Sequence, residues 1–324
     1  MNLFPRRIAL ASAVVCLLTA AAAAAQNYPA KPVRVVVPFP AGGAVDTGAR
    51  AVGQKLSEFW KQAVMVDNRG GAGGNIGADA VAKAAPDGYT LLCHSNALAL
   101  GPALYRTLPY DAAKDFVPLA QLTSSYLVLT VNPKLQVNSV NELIEHAKAR
   151  PGSINYGSTG IGVSPHLIME RLKGRAGIDL LHVPYKGDAQ LTPALLSGEV
   201  QAAFMTPSSV VMHVKAGKLR ALAVTRLMPT AVFEGVPTAA ESLPGFEYSG
   251  YLGLYAPAGT PSAIVAQIQR DAARVLAMPD LQQRLAAGGF EPPNTTPDQF
   301  SAKYLRDIAT FVQIVRDARI PQQE

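Results

Sequence analysis

The chain has 324 residues, of which 49% are hydrophobic and 16% are charged, and its formal net charge is +6 at pH 7. The positive charges are not gathered into lysine- and arginine-rich runs, which argues against nucleic acid as a partner. Of the 2 cysteines, Cys16 lies in the N-terminal apolar stretch, so a chain processed after that stretch keeps only Cys93 and forms no internal disulfide.

The first residues, MNLFPRRIALASAVVCLLTAAAAAAQ, place Arg6 and Arg7 before an apolar stretch that ends in alanines. This order is typical of a secretory signal peptide, and we expect residues 1–25 to be removed on export to the periplasm. A membrane anchor would need the alanine-rich span from Ile8 to Ala25, which is borderline in length and is followed by no anchoring belt. The paired arginines leave both the Sec and the twin-arginine export routes open.

Apolar, strand-like runs then alternate with helix-length amphipathic segments. VRVVVP precedes a helix predicted from Asp46 to Trp60, AVMVDN precedes one from Ile76 to Ala84, and YTLLC precedes one from Ala97 to Tyr105. The rhythm resumes after SYLVLTVNP, with strand-like segments in INYGS, LLHVPYKG, VQAAF and LRALAVT. This alternation predicts an α/β fold in which helices connect parallel strands.

A chain of this length usually divides into two domains, because a single core stops growing efficiently. We predict a discontinuous first lobe of residues 26–125 plus 250–324 and a second lobe of residues 126–249, joined by the extended segments SYLVLTVNP and YSGYLGLYAPAG. Each lobe contains a strand, a glycine-bearing loop and a helix start, PFPAGGAVD in the first and YGSTGIGVSPH in the second. We expect the two helix N-termini to face one shared cleft.

Neither glycine loop completes a nucleotide-binding motif. Gly43 and Gly48 are spaced as in a Walker A loop, but Ala49 follows in place of the lysine that would meet the terminal phosphates. Gly160 and Gly162 do not continue to the third glycine of a dinucleotide fingerprint. G-x-S-x-G and H-E-x-x-H patterns are absent from the sequence. We therefore predict no catalytic residue, no cofactor and no metal.

The five histidines are scattered singly along the sequence. His182 near a strand end and His166 on an early helical turn are interpreted as packing side chains rather than metal ligands. Cys93 and His94 are neighbours in a strand, so their side chains point to opposite faces and do not form a catalytic pair. We expect Cys93 to be a buried thiol.

The remaining chemistry is the binding of an anion by backbone groups. A glycine loop that enters a helix exposes unpaired amides, and the helix dipole stabilises a carboxylate there by roughly 0.3 to 1 kcal/mol. Glycine loops also make tight turns that bind nothing, so spacing alone leaves the function open. Asp46 has two interpretations: it caps the first helix, or it accepts a hydrogen bond from a ligand or a bridging water.

The mature sequence resembles the Bug family, the extracytoplasmic solute receptors of tripartite tricarboxylate transporters. The resemblance spans the whole mature chain and rests on several separate blocks: YPAKPVRVVVPFPAGGAVDTGAR, VDNRGGAGGNIGADAVAKAAPDGYTLL, PYDAAKDFVPLAQL, ELIEHAKARPGSINYGSTGIG, HVPYKG, GKLRALAVT and LYAPAGTP. It implies a type II periplasmic binding-protein fold, in which two α/β lobes are joined by two crossing strands and enclose the ligand between them.

The resemblance also implies that the two glycine loops hold a ligand carboxylate, largely through backbone amides, hydroxyls and ordered waters. The implied ligand-binding positions are Phe39, Ala41, Gly42, Gly43 and Asp46 in the first loop, and Ser158, Thr159, Gly160, Gly162 and Val163 in the second. Val163 stands where the family usually has a hydroxyl residue, with Ser164 next, so one side-chain contact to the ligand, or the helix cap, is lost or shifted here.

The function implied is a receptor that binds a small carboxylate and presents it to the permease subunits of such a transporter. We expect a monomer, because a monomer suits the closure of two lobes on a ligand. The same binding chemistry would serve a sensory subunit that docks on a signalling partner. An exported hydrolase or dehydrogenase is the third alternative, and the missing motifs argue against it.

Overall fold

The computed structural model describes residues 28–287, 290–293 and 295–323, so the predicted signal peptide lies outside the described residues. The chain begins in one compact unit, passes into a second and later returns to the first. The first segment contains β1 (Val33–Val37), α1 (Ala44–Trp60), β2 (Val64–Asn68), α2 (Asn75–Ala82), β3 (Thr90–Ser95), α3 (Ala97–Leu104) and β4 (Phe116–Ser125).

The middle segment contains β5 (Val128–Val131), α4 (Val140–Ala149), β6 (Asn155–Ser158), α5 (Ser164–Ala176), β7 (Leu181–Pro184), α6 (Asp188–Ser197), β8 (Ala202–Met205), α7 (Pro207–Lys215), β9 (Arg220–Val224) and α8 (Ala239–Ser242). The last segment contains β10 (Gly250–Pro257), α9 (Ser262–Leu276), α10 (Pro279–Ala287) and α11 (Pro297–Asp317). Short 3₁₀ turns occupy Ala72–Gly74, Pro133–Leu135 and Ala231–Phe233.

Unit 1 is built on a five-stranded sheet of order β2-β1-β3-β10-β4. β1 runs parallel to β2 and β3, as the alternating pattern predicts, while β10 pairs antiparallel with β3. The central strands β1, β3 and β10 are largely buried, and β1 and α1 contribute Val33, Val35, Val52 and Leu56 to the core with β10 and α9.

Unit 2 repeats this plan with a sheet of order β7-β6-β8-β5-β9. β6 is parallel to β7 and β8, and β5 is antiparallel to β8 and β9. In both units the parallel strands therefore end at one edge of the sheet, and the chain leaves that edge to start a helix. This is the edge at which open α/β sheets bind ligands.

The observed division of the chain differs from the predicted one at two short segments. Of the described residues, unit 1 comprises those within 28–101, 107–124 and 251–306, and unit 2 comprises those within 102–106, 125–250 and 307–323. We expected the C-terminal residues to belong entirely with the first lobe. Instead, the Arg106 amide donates to Gln323 O at 3.0 Å and the Gln323 amide donates to Leu104 O at 2.7 Å, which ties the C-terminal segment to the end of α3.

Candidate functional site

Loop 1, residues 38–43, connects β1 to α1 at the carboxyl edge of the unit 1 sheet. Gly42 has a φ of +83°, a conformation that favours glycine. Gly43 follows in an extended conformation, with φ −74° and ψ 170°, and forms the N-cap of α1. Thr47 is the first residue whose amide bonds within the helix, to Gly43 O at 2.9 Å. The helix therefore offers no acceptor to the amides of Ala44, Val45 and Asp46.

Asp46 holds loop 1 in place from the first turn of α1. Its side chain is buried, and its Oδ2 accepts hydrogen bonds from the Gly42 amide at 2.8 Å and from Arg50 Nε at 2.9 Å. Its Oδ1 accepts from Asn68 Nδ2 at 2.9 Å, and the same amide nitrogen donates to Phe39 O at 3.0 Å. Both carboxylate oxygens thus have partners within unit 1. Asp46 does not cap free amides of α1 as predicted, because Gly43 is the N-cap and no side chain caps the helix; Asp46 instead anchors the loop that precedes the helix.

The charge of Asp46 is compensated where it lies. Burial by itself raises the pKa of this carboxyl, but the hydrogen bonds from Arg50, the Gly42 amide and Asn68 outweigh burial and lower the pKa below its usual range. The carboxylate is therefore ionised at neutral pH and forms an i,i+4 ion pair with Arg50. Arg50 also donates from Nη2 to Asn68 Oδ1 at 2.9 Å, which closes the network.

Another glycine-rich segment, residues 70–74 after β2, packs beside loop 1. Gly74 has a φ of +104°, and a Cβ atom there would lie 2.7 Å from His94 Nε2 and 3.4 Å from the ring of Phe39. The Phe39 and His94 rings meet edge to face, with centroids 5.2 Å apart. The sequence alone did not indicate that RGGAGG supports Phe39.

Loop 2, residues 159–163, connects β6 to α5 at the corresponding edge of the unit 2 sheet. Gly162 has a φ of +77°, and Val163 follows as N-cap with φ −78° and ψ 162°. The first helical amide bond is from Leu167 to Val163 O at 3.1 Å. The last two residues before the helix thus repeat those of loop 1, with Gly162 in the place of Gly42 and Val163 in the place of Gly43. Since valine has no polar side chain, it cannot cap the helix.

The side chain that anchors loop 2 is a histidine. His166 occupies the same helical position as Asp46, and its Nδ1 accepts the hydrogen bond of the Gly162 amide at 3.0 Å. Its ring lies nearly parallel to that of His182, with centroids 3.9 Å apart and an interplanar angle of 8°. The two histidines, which the sequence presented as isolated, therefore form one stacked pair under the loop.

Ser158 faces the loop rather than the solvent. Its hydroxyl lies 2.8 Å from Gly160 O and 2.7 Å from His182 Nε2, and it accepts a longer hydrogen bond from the Gly160 amide at 3.3 Å. Of the predicted positions in this loop, Ser158 and Gly162 are buried, Thr159 and Gly160 are half-buried, and Val163 is exposed. In loop 1, Ala41, Gly42 and Gly43 are exposed, Phe39 is half-buried and Asp46 is buried.

Comparison with known proteins gives a consistent result. A model of the family described as "Tripartite tricarboxylate transporter family receptor" matches residues 48–318. Protein BugT of Bordetella pertussis is 38% identical over 301 residues, which are 92% of each chain. This chain belongs to the tripartite tricarboxylate transporter receptor family.

Two solved structures extend the comparison to the fold. The structure of the periplasmic binding protein BugD has a TM-score of 0.68 at 31% identity, covering 91% of this receptor and 100% of BugD. The structure of R. palustris Rpa4515 with adipate has a TM-score of 0.71 at 34% identity, covering 91% of this receptor and 100% of that chain. The two α/β units are those of a periplasmic binding protein, and the family is one of solute receptors rather than enzymes.

The carboxyl edge of unit 2 carries further polar groups that the sequence reasoning did not identify. β7 and β8 end beside β6, and the helices that follow them begin at Asp188 and Pro207. Asp188 Oδ2 accepts hydrogen bonds from the hydroxyls of Thr206 at 3.2 Å and Ser209 at 2.9 Å. The sequence did contain a signal for these groups, because HVPYKGD has the same order of strand, glycine and helix start as the two glycine loops.

Within residues 28–287, 290–293 and 295–323, no group of three or more histidine, cysteine, aspartate or glutamate side chains is arranged to hold a metal ion. Over the same residues, no helix is both long and apolar enough to span a membrane. Cys93 is buried, and burial raises the pKa of its thiol to about 12.

Proposed function

We propose that this protein is a periplasmic receptor that captures a small carboxylate between its two lobes, with loop 1 and loop 2 as the two halves of the site. The ligand class is an organic acid, an amino acid or an aromatic acid. The receptor then delivers the ligand to the membrane permease of a tripartite tricarboxylate transporter, without catalysis and without a cofactor.

The observation that carries this proposal is the repeated junction between a glycine loop and a helix. In each unit a glycine at positive φ and an extended N-cap precede a helix whose first amides have no acceptor within that helix. These amides and the helix dipole attract a carboxylate. Both junctions lie at the carboxyl edge of parallel strands, where α/β units bind small molecules.

The electrostatics of both loops suit an anion. The buried carboxylate of Asp46 would repel a ligand carboxylate, but Arg50 lies 2.9 Å from it and compensates its charge. In loop 2 the anchoring residue is a histidine whose pKa burial lowers to about 4, so that it is uncharged at neutral pH. Neither loop therefore presents uncompensated negative charge from its anchor.

The relatives support the ligand class. The family is described as a tripartite tricarboxylate transporter receptor, and the relative Rpa4515 has the dicarboxylate adipate in its structure. We propose a carboxylate ligand for this chain but not adipate itself, because backbone amides recognise a carboxylate group whatever molecule carries it.

The first experiment is a thermal-shift screen of mono- and dicarboxylates, amino acids, aromatic acids and citrate-like acids. A ligand at about 100 times its Kd stabilises a receptor by about 2.7 kcal/mol, so a true ligand separates clearly from the rest. If carboxylates do not shift the melting temperature and uncharged analogues do, the proposed ligand class is wrong.

Variants then locate the site. Gly43→Asp and Val163→Asp place a carboxylate at the N-cap of α1 or α5, where it occupies the amides assigned to the ligand. Gly43 has a φ of −74° and a Cβ there would approach only Pro40 O at 3.4 Å, so we expect the fold to keep its stability. We expect both variants to lose the ligand-induced shift.

The matched control is Ser139→Asp, which adds the same charge at the N-cap of α4, outside the glycine loops. It should keep the ligand-induced shift. Ligand binding that survives in both loop variants would contradict the proposed site, whatever the ligand.

Transport, export and oligomeric state are tested separately. Uptake of the identified acid in cells that carry the permease genes should require this protein, whereas a purely sensory role would leave uptake unchanged. N-terminal sequencing of periplasmic protein should begin at Gln26, and light scattering should give the mass of a monomer.

A further inference from the structure

The His166 side chain can hold loop 2 in only one of its protonation states. The Gly162 amide donates to His166 Nδ1 at 3.0 Å, and a ring nitrogen accepts a hydrogen bond only when it carries no proton. A protonated His166 would turn an N–H group toward the N–H of Gly162. Two donors that face each other separate or turn away, and the amide would then move.

His182 is linked through Ser158 to Gly160, the other positive-φ glycine of loop 2. Its Nε2 shares a hydrogen bond of 2.7 Å with the Ser158 hydroxyl, which in turn contacts both the carbonyl and the amide of Gly160. Because the rings of His166 and His182 stack face to face at 3.9 Å, a proton on one ring disfavours a proton on the other.

The charged and titratable groups around the pair do not favour a positive charge on it. From β6, Tyr156 stacks on His182 with centroids 4.8 Å apart and donates its hydroxyl to Glu170. On α5 itself, Glu170 forms an ion pair with Lys173 at 2.8 Å, so that its charge is compensated. β8, which also packs against α5, has only apolar residues between Ala202 and Met205.

Burial, together with the neighbouring His182 and Lys173, lowers the pKa of His166 to about 4 against the opposing effect of Glu170. Burial likewise lowers the pKa of His182, again with Glu170 acting in the opposite direction. The geometry and the surroundings therefore agree that the pair is uncharged at neutral pH.

We propose that His166, backed by His182, is the residue that positions loop 2 for the ligand, and that it does so only while it is uncharged. This inference rests on the proposed function, because it assigns to the pair the job of aiming amides that bind a carboxylate. Neither histidine touches the ligand in this proposal. Acidification would weaken ligand binding through loop 2 while loop 1 keeps its carboxylate anchor.

The test compares two substitutions of His166. His166→Asn keeps an acceptor at the place of Nδ1 but cannot be charged in this range, and His166→Leu fills the space without an acceptor. Calorimetry at about pH 7.5, with the acid found in the screen, should give an Asn variant within about threefold of the wild-type Kd and a Leu variant weaker by about tenfold, which corresponds to one lost hydrogen bond. A Leu variant that binds like the wild type overturns the proposal.

The pH profile distinguishes positioning from packing. When the pH is lowered to about 4, the wild-type Kd should rise at least about twofold more than the Kd of His166→Asn, because about half of the wild-type His166 is then protonated. Protonation of the ligand cancels in this ratio, since both proteins bind the same acid. His213→Asn, on α7, is the control and should follow the wild type. A ratio that stays flat overturns the requirement for the uncharged form.

A readout without ligand separates this inference from the proposed function. Nitrogen-15 spectra of the histidine rings at about pH 7.5 should show His166 with the proton on Nε2 and with Nδ1 unprotonated. A proton on Nδ1 overturns the inference even if a ligand binds. Conversely, if no carboxylate binds, the proposed function fails, and the ring spectra together with amide exchange at Gly162 in the Leu variant still decide whether His166 holds the loop.

Discussion

Loop 1 and loop 2 enter their helices through the same backbone conformation but have different anchors. Each places a glycine at φ near +80° before an extended N-cap, and each bonds the glycine amide to the side chain four residues later. In unit 1 that side chain is the Asp46 carboxylate in an ionic network with Arg50 and Asn68. In unit 2 it is the uncharged ring of His166 in a stack with His182. The backbone thus sets the geometry of each junction, and the anchor sets its response to pH and to substitution.

The largest effect should come from removing the charged anchor. Asp46→Ala leaves the Gly42 amide, Arg50 and Asn68 without their shared acceptor, and we expect a loss of about 2–4 kcal/mol in the free energy of unfolding, moderated because Arg50 is half-exposed and regains water. Urea unfolding at neutral pH measures this. Asp46→Asn, which keeps one acceptor oxygen, should lose less. A loss no greater for Ala than for Asn would mean that the network does not hold loop 1.

The pH dependence of stability should separate the two anchors. The pKa of His166 in the folded protein is lowered to about 4. Between about pH 6.5 and about pH 4 this histidine is therefore protonated in the unfolded chain but not in the folded one. The free energy of unfolding should fall by up to about 3 kcal/mol as the pH drops through this range. The pKa of Asp46 is also lowered. Its contribution to the free energy of unfolding is therefore fully present at any pH above the usual carboxyl pKa and is lost only as the pH falls below that value.

Urea unfolding of the wild type and of His166→Asn at several pH values isolates the histidine contribution. The difference between the two proteins is the quantity to follow, because burial also lowers the pKa of His94 to about 4 and His94 contributes to both curves. Parallel curves for the two proteins would show that His166 is not held uncharged.

Alanine at the positive-φ glycines tests how tightly each junction is packed. A Cβ on Gly42 meets nothing within 4 Å, so only the backbone strain of about 1 kcal/mol is expected. A Cβ on Gly162 would lie 2.8 Å from Leu104 Cδ2, so Gly162→Ala should cost about 2–3 kcal/mol.

Adding Leu104→Ala to Gly162→Ala should return part of that loss, which a double-mutant cycle measures as a coupling energy. A coupling energy of zero would show that the crowding at Leu104 relaxes without cost.

The smallest expected effect is at the N-caps. Val163→Ser supplies an oxygen for the amides at the start of α5 and should raise stability by about 1 kcal/mol, whereas Gly43→Ser at the start of α1 should raise it by only a few tenths, because glycine is already a tolerable N-cap. Thermal unfolding of the two variants tests the ranking. Equal gains at both positions would mean that the N-caps differ less than their residues suggest.

Much of the fold could be predicted because it depends on local pattern. Alternation of apolar runs with amphipathic segments predicts β1 to β3 and the helices that follow them, and the boundaries of α1, α2 and α3 agree with the prediction within a few residues. The antiparallel strands β5 and β10 lie in the two segments that were expected to connect the lobes. Their place within each sheet was not predictable, because strand order depends on pairing between residues far apart in sequence.

The sequence by itself determined that two glycine loops each precede a helix, and that neither loop has the lysine or the third glycine of a nucleotide site. Tertiary structure decided what anchors them. The parallel register of β1 and β2 pairs Val37 with Asn68 and brings that amide to Asp46, and the register of β6 and β7 pairs Tyr156 with His182 and brings the ring under His166. The residues next to a histidine in sequence do not indicate which side chain it will contact. Only the register of the strands could place the two rings in contact.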